Sequence, residues 1–202
     1  MTILEHAVRS GIDAEITDLC PVLFSRDQYH KMASAGAFDS MRVELIEGVI
    51  IQMAPIGDTH AAVTHPLAVI LEAAFGSGFT ARNQAPIALG EDSKPSEPEP
   101  DVAIVSGNWR DYLSRKPGPQ DIKLIVEIAE STLATDRSIK GALYASAGIP
   151  EYWIVNLVDI RLEVYRGPTS SGYALTQIYR SGETVELLLA PGKIVAVADF
   201  MP

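Results

Sequence analysis

Three charged residues in the second half of the chain have the types and spacing to act on a phosphate group. Asp101 opens the apolar run VAIV, Glu127 interrupts the apolar run LIVEIA, and Lys140 follows thirteen residues after Glu127. Two acids that strands bring together repel each other unless a cation lies between them. Mg²⁺ is held in this way, by few carboxylates, with water and phosphate oxygens as its other ligands. A nearby ammonium can orient water or stabilise charge on a phosphoryl group.

Each of these residues also has a purely structural interpretation. Asp101 can simply end the proline-rich, acidic loop of residues 90–101. Glu127 needs a partner because an unpaired carboxylate in a covered strand costs several kcal/mol to desolvate, and an arginine, a lysine or a divalent cation would serve. Lys140 and Asp136 have the spacing of an ordinary surface ion pair on a helix. The residues alone leave these alternatives open.

The first half of the chain predicts two helices and a hairpin. A capping box formed by Ser25 and Gln28 starts a helix over about residues 26–35. The run RVELIEGVIIQM predicts a hairpin that turns at Glu47-Gly48. A second helix is expected over residues 59–75, where Pro66 either kinks the helix or marks its start.

The second half predicts strands around one more helix. The runs FTARNQAPIAL and PDVAIVSG are expected to be strands, and NWRDYLSRKPGPQD a short helix or loop. A strand over residues 124–128 precedes a helix over about residues 136–147, whose inward face is expected to carry Ile139, Ala142, Leu143 and Ser146. Five apolar runs then predict antiparallel hairpins. The fold class is mixed α/β.

Length and charge limit the organisation of the chain. Its 202 residues favour a single domain, with an extension at 1–24, a core at 25–165 and C-terminal strands at 166–202. The formal charge of -10 works against broad attraction to polyanions, so a nucleic-acid site must be local. We find no signal peptide or membrane span, and we expect a cytoplasmic protein in which Cys20 is a small buried side chain.

A set of ordered motifs is more specific than any of its parts. The set comprises VELIEGVIIQM, PDVAIV and LIVEIAESTLATDRSIKGALYASAGIPEYWIV. Over about residues 29–164 the chain resembles the Uma-two family, a branch of the PD-(D/E)XK restriction-endonuclease-like superfamily. The resemblance implies a restriction-endonuclease-like core in which a central mixed sheet is flanked by helices.

The resemblance also implies a site. Asp101 and Glu127 would bind Mg²⁺ (or Mn²⁺) together with the backbone carbonyl of Ile128, Lys140 would be the catalytic lysine, and Glu44 would be an additional acid. One departure from the superfamily pattern stands out. The lysine usually follows the acid by two residues on the same strand, where this chain has Ala129.

Four further residues are expected around this centre. His60 is interpreted as a polar residue at a helix start or at the edge of the site, since its five-residue spacing from His65 does not match a zinc motif. Gln84 either reaches the site or faces solvent, Ser131 either bonds a carboxylate or caps a turn, and Tyr144 is placed to restrain Lys140.

The leading hypothesis is therefore a magnesium-dependent phosphodiesterase acting on DNA. A local phosphate-binding patch would be formed by Arg110, Arg115, Lys116, Lys123 and Arg137. The alternative is a catalytically inactive endonuclease-like domain that acts as a binding or assembly module, which the net charge of -10 favours. Strands near the C-terminus make a homodimer an additional expectation.

Overall fold

A computed structural model describes residues 21–91 and 93–202. Residues 1–20 of the expected N-terminal extension, which include Cys20, lie outside these ranges. The chain forms two compact units, one built from the described residues up to Met53 together with Ala88–Pro98, the other from Ala54–Ile87 and Glu99–Pro202. The division at residues 24 and 165 stays a prediction. No helix in the described ranges is long and apolar enough to cross a membrane.

The first unit contains the predicted capped helix and hairpin. Its elements are α1 (Arg26–Ser34), β1 (Val43–Ile46) and β2 (Val49–Gln52). The Ser25 side chain and the Gln28 side chain each accept a hydrogen bond from the other residue's backbone N–H, which confirms the capping box. The hairpin turns at Glu47 and Gly48, both in the left-handed region at φ 49° and 79°, as a tight two-residue turn requires.

The second unit is built on a six-stranded mixed sheet. Its elements in chain order are α2 (Asp58–Phe75), β3 (Phe79–Asn83), β4 (Val102–Ser106), a 3-10 turn (Trp109–Tyr112), β5 (Ile122–Ala129), α3 (Leu133–Thr135), a π-helical turn (Asp136–Lys140), α4 (Gly141–Ser146), β6 (Glu151–Asn156), β7 (Arg161–Thr169), β8 (Gly172–Tyr179), β9 (Thr184–Glu186), β10 (Ile194–Ala196) and a 3-10 turn (Val197–Asp199). Strands β3 to β8 are neighbours in chain order, and all pairs are antiparallel except β5 with β6. The predicted mixed α/β class is confirmed.

Strand alternation divides the sheet into two faces. Every second residue of the central strands packs into the main apolar core with α2, as Val102, Val126 and Trp153 do. Leu67 of α2 is fully buried in the same core. The residues between them, including Glu127, therefore point to the opposite face. The helix α2 runs through Pro66, which is neither its start nor its end.

The segment after β5 differs from the predicted helix. It begins earlier, at Leu133, and Asp136–Lys140 forms a π turn. Of the four residues expected to face inward, Leu143 is buried, whereas Ser146 is exposed. Asp136, Lys140 and Tyr144 are buried as well, although they were not expected to face inward. A π turn joins residue i to i+5, so it holds more residues than an α turn and brings residues four apart closer to one line.

Two contacts hold this π turn. The carbonyl oxygen of Asp136 accepts the backbone N–H of Gly141, and it also accepts the Tyr152 hydroxyl of β6 at 3.1 Å. A Cβ atom at position 141 would lie 3.3 Å from the same carbonyl oxygen, which is tighter than an ordinary contact. Gly141 and Tyr152 together therefore stabilise the wide turn that carries Lys140.

Glu163 of β7 ties the same segment to the sheet. Its carboxylate accepts hydrogen bonds from Arg137 in the π turn, from Asn156, from Arg161 and from Tyr165. Burial alone would raise the pKa of Glu163, but hydrogen bonds from Arg137 and the neighbouring donors outweigh it and hold this pKa at about 2. The folded state therefore favours the ionised form of this carboxylate.

We predict that Glu163→Gln lowers stability at neutral pH and flattens its decline in acid. The folded pKa of about 2 lies below the ordinary 4.5, so Glu163 stabilises the fold above pH 4.5, and this contribution is lost as the pH falls towards 2. Urea unfolding at intervals from pH 7 to pH 2 measures the difference, with the exposed Glu72→Gln as control. A difference in unfolding free energy between wild type and Glu163→Gln that is independent of pH would contradict this prediction.

Candidate active site

The strand register sets Asp101 beside Glu127. Val102 of β4 pairs with Val126 of β5 in an antiparallel ladder. Continuing this register by one residue puts Asp101 opposite Glu127, and opposite residues of adjacent strands point to the same face. Both acids are buried, at 9% and 3% exposure. Two carboxylates distant in sequence are thus neighbours on the face away from α2.

Glu127 is held by two donors on one oxygen. The Lys140 ammonium lies 3.0 Å from its Oε1, and the Tyr144 hydroxyl donates to the same atom at 2.6 Å. Within the described residues, its Oε2 accepts no protein hydrogen bond. Burial raises the pKa of Glu127 to about 8; Lys140 opposes this increase, whereas the charge of Asp101 adds to it. The site favours a further positive charge close to this carboxylate.

Asp101 is held in a similar way. Its Oδ2 accepts the backbone N–H of Ile128 at 2.8 Å and lies 2.8 Å from Nε2 of His60, which donates from the first turn of α2. Its Oδ1 has a long contact of 3.4 Å with the side-chain amide of Gln84. The short bonds to Oδ2 fix the carboxylate and leave Oδ1 the less engaged oxygen. His60 Nδ1 is buried and, among described residues, has no hydrogen-bond partner.

The backbone carbonyl of Ile128 also faces the side of β5 on which Asp101 lies. Its N–H points to Asp101 on the β4 side of β5. The carbonyl of the next residue, Ala129, accepts the N–H of Leu157 on the β6 side. Because successive residues of a strand direct their backbone groups to opposite edges, the Ile128 carbonyl faces the β4 side, as its N–H does. Together with the carboxylates of Asp101 and Glu127, this carbonyl provides a third oxygen on the same side of β5.

The structure answers some of the questions that the sequence left open. Among the described side chains, the charged partner of Glu127 is Lys140 rather than an arginine. The surface position expected for Lys140 and Asp136 is wrong, because both side chains are buried. The Thr132 hydroxyl donates to Asp136. Tyr144 contacts Glu127 itself, a bond that the four-residue spacing from Lys140 did not indicate.

Two other residues, Ser131 and Glu44, were predicted from the sequence to belong to this site. Ser131 is exposed just beyond the end of β5. Glu44 belongs to the first unit, where it pairs with Ile51 across the hairpin. Their roles in the site stay predictions from the sequence.

The predicted basic residues are largely engaged within the protein. Arg115 forms two hydrogen bonds with Asp121, and Arg137 binds Glu163. Arg110 differs, because its guanidinium stacks 4.3 Å above the ring of Trp109, which is 55% exposed. An exposed aromatic ring beside an arginine is the kind of surface on which nucleic-acid bases stack.

The groups around the acid pair limit which metal ions the site can bind. No group of three or more His, Cys, Asp or Glu side chains within residues 21–91 and 93–202 is arranged to hold a metal ion. The oxygens of Asp101, Glu127 and Ile128 are nonetheless hard ligands, and Mg²⁺ in proteins is commonly bound by one or two carboxylates and several waters. The residues present therefore fit Mg²⁺ better than a metal that needs nitrogen or sulfur.

The mixed sheet flanked by helices is a nuclease-like fold. It carries the paired acids on adjacent strands and the lysine of the next helical segment. A solved structure described as "a putative nuclease belonging to DUF820", from Anabaena variabilis ATCC 29413, is similar with a TM-score of 0.64. It is 17% identical, and the similarity covers 89% of this chain and 97% of that one. No curated protein matched this chain.

The family relationship rests on a separate comparison. The Uma2 (Uma-two) family, described as "Putative restriction endonuclease", matches residues 26–198. The chain belongs to this family, which confirms the resemblance seen in the sequence motifs.

We predict that Glu127 and Lys140 are energetically coupled. In a double-mutant cycle, Glu127→Gln with Lys140→Met is expected to give a coupling of about 1–3 kcal/mol in unfolding free energy, since the pair is in direct contact. Denaturant unfolding of the two single variants and the double variant measures it. Pairing Glu127→Gln with the exposed Lys193→Met should be additive within about 0.5 kcal/mol. Equal results for both lysines would contradict the direct contact.

Proposed function

We propose that this protein is a Mg²⁺-dependent endonuclease that hydrolyses phosphodiester bonds of DNA. The observation that carries the proposal is the pair Asp101 and Glu127 on adjacent strands. In each carboxylate, protein donors saturate one oxygen and leave the other less engaged. Family membership supports a nuclease, and a nucleic acid is the substrate that this family suggests.

Mg²⁺, or Mn²⁺ in its place, would be held by Asp101, Glu127 and the carbonyl of Ile128. When bound, such a cation supplies Lewis acidity and lowers the pKa of a bound water. The chain's own contribution is preorganisation. Strands β4 and β5 are rigid elements, and a site built on them keeps its geometry better than one on loops.

Lys140 is proposed as the catalytic lysine. Its ammonium lies 3.0 Å from Glu127 Oε1, so the same π turn that buries Lys140 directs its charge to the acid pair. An ammonium there stabilises negative charge that builds on a phosphoryl group, or orients the attacking water by hydrogen bonding. Tyr144 holds Glu127 in place as a neutral hydrogen-bond donor and transfers no proton in this scheme.

A non-enzymatic role has one specific observation in its favour. The chain has 26 acidic and 16 basic residues, and two of its predicted DNA-contacting arginines, Arg115 and Arg137, are neutralised by Asp121 and Glu163. DNA-binding proteins usually present a pronounced basic face. The alternative is therefore an endonuclease-like domain that acts as a binding or assembly module.

Cellular location and assembly stay predictions from the sequence. We expect a cytoplasmic protein. A homodimer is supported by β8, which lies at one edge of the six-stranded sheet and exposes Leu175 and Ile178.

The first test is DNA cleavage with Mg²⁺, with Mn²⁺ and with chelator. Wild-type protein is expected to cleave only with metal. Asp101→Asn and Lys140→Met should each lower the rate by about a hundredfold or more, because the first removes a ligand of the metal and the second a charge that acts on the reacting phosphate. Rates of cleavage of supercoiled plasmid, measured with single-stranded and duplex oligonucleotides in parallel, provide the comparison.

Matched controls separate site effects from general effects of charge. The exposed Asp199→Asn and Lys193→Met change charge by the same amounts and should leave the rate unchanged. Cleavage that survives both Asp101→Asn and Lys140→Met would refute the site. Absence of cleavage of any nucleic acid by folded wild-type protein would favour the binding-module alternative.

A second test reads metal binding without activity. A ligand that binds the folded state alone raises the melting temperature with its concentration. Mn²⁺ and Mg²⁺ are therefore expected to stabilise wild-type protein. Glu127→Gln should abolish this stabilisation, whereas the exposed Glu72→Gln should retain it. Equal stabilisation of the two variants would show that the cations bind elsewhere.

A further inference from the structure

Arg82 has no acidic partner among the described residues. It lies on β3, opposite Ala103 of β4, and its side chain is half-buried. Within the described residues no carboxylate forms an ion pair with it, although the chain has 26 acids, and its Nε is buried without a hydrogen-bond acceptor. The buried Nε is unusual, because buried polar groups are normally hydrogen-bonded.

Arg82 lies on the same face of the sheet as the candidate catalytic acids. Phe79 and Ala81 of β3 pack on the apolar core, so by alternation Arg82 points to the opposite face. Gln84, two residues further along, contacts Asp101. Alternate residues of a strand are separated by about 7 Å, so the Cα atom of Arg82 lies about this far from that of Gln84.

Aromatic packing holds the guanidinium in place. Its Cζ lies 5.6 Å from the ring centroid of Tyr112, and Arg115 lies 4.8 Å from the same ring. The Tyr112 hydroxyl donates to the carbonyl of Ser106, which anchors the ring. Arg115 is neutralised by Asp121, whereas Arg82 has no such partner in the described chain. Arg82 is thus a preorganised donor whose charge is uncompensated.

The energetic cost of this arrangement indicates an anionic ligand. Burial lowers the pKa of Arg82, so the folded protein disfavours its charged form relative to water. An anion that reaches the guanidinium would reverse this penalty and form charge-assisted hydrogen bonds. Phosphate is an anion whose geometry suits the planar donors of arginine.

We infer that Arg82 binds a backbone phosphate of the nucleic acid, on the same face of the sheet as the phosphate that Asp101 and Glu127 address and nearer to the Ser106 end of β4. This inference rests on the proposed function for the identity of the ligand. It adds a substrate-positioning residue on β3, outside the metal ligands and the catalytic lysine. The role explains why a strand next to the acid pair keeps an unpaired guanidinium.

The test compares DNA binding and stability of Arg82→Met. Fluorescence anisotropy with a labelled duplex and a labelled single strand, in Ca²⁺ and at several salt concentrations, should give affinity about tenfold weaker than wild type. The slope of log affinity against log salt should fall in magnitude by about one. The melting temperature without DNA should be unchanged or higher, because the variant removes a desolvated, unpaired charge.

Three controls make the outcomes decisive. The exposed Arg180→Met should match wild type in affinity and salt slope. Arg82→Lys should keep the slope and lose part of the affinity, since lysine keeps the charge without the planar donors. Inorganic phosphate should compete with DNA for wild-type protein far more weakly than unlabelled DNA does, which separates a backbone phosphate from a free one.

Several results would overturn the inference. These are unchanged affinity and slope in Arg82→Met, a lower melting temperature with unchanged binding, or wild-type protein that does not bind DNA. Failure of the proposed function has a different signature, because it appears as folded protein that binds DNA without cleaving it, or as cleavage insensitive to Asp101→Asn. Cleavage that requires Asp101 while Arg82→Met keeps its KM and kcat would retain the nuclease and reject the role of Arg82.

Discussion

The burial of one carboxylate, that of Glu127 in the central strand β5, is the constraint on which the rest of the site depends. Strands β4 and β6 flank it, and its side chain is 3% exposed. Taking an ionised carboxylate out of water costs several kcal/mol, so the fold must surround it with compensating groups. Lys140 and Tyr144 supply two donors to one oxygen. Asp101 does the opposite, because it adds a second negative charge beside the first. Such an arrangement is costly for stability and useful for binding a cation.

The fold brings these groups together by two devices. The antiparallel register of β4 and β5 makes Asp101 and Glu127 direct neighbours, and the N–H of Ile128 holds Asp101 in that position. The π turn then aligns Lys140 with the acid pair. Its carbonyl at Asp136 is satisfied by a tyrosine hydroxyl of the next strand, so the wide turn is stabilised by the sheet that it covers. π turns inside helices often occur at functional sites, and this one carries the candidate catalytic lysine.

Much of this architecture could be predicted because local signals report it. The capping box before α1, the turn at Glu47-Gly48 and the apolar strands are written in short stretches of sequence, and the resemblance to the Uma-two family was confirmed. Prediction was wrong where the periodicity departs from 3.6 residues per turn, since the widened turn exposes Ser146 and buries Lys140. Alternation along β3 could have associated Arg82 with Gln84. That Arg82 has no carboxylate partner among the described residues could not be predicted, because only the folded chain shows which acids come near it.

The most direct measurement of the central claim is the position of a bound cation. Crystals of the protein grown or soaked with Mn²⁺ would be measured near the manganese absorption edge, where anomalous scattering identifies the ion. A peak is expected within about 2.0–2.6 Å of one oxygen from Asp101 and one from Glu127. A fully occupied manganese site elsewhere, with these two carboxylates contacting only protein and water, would contradict it.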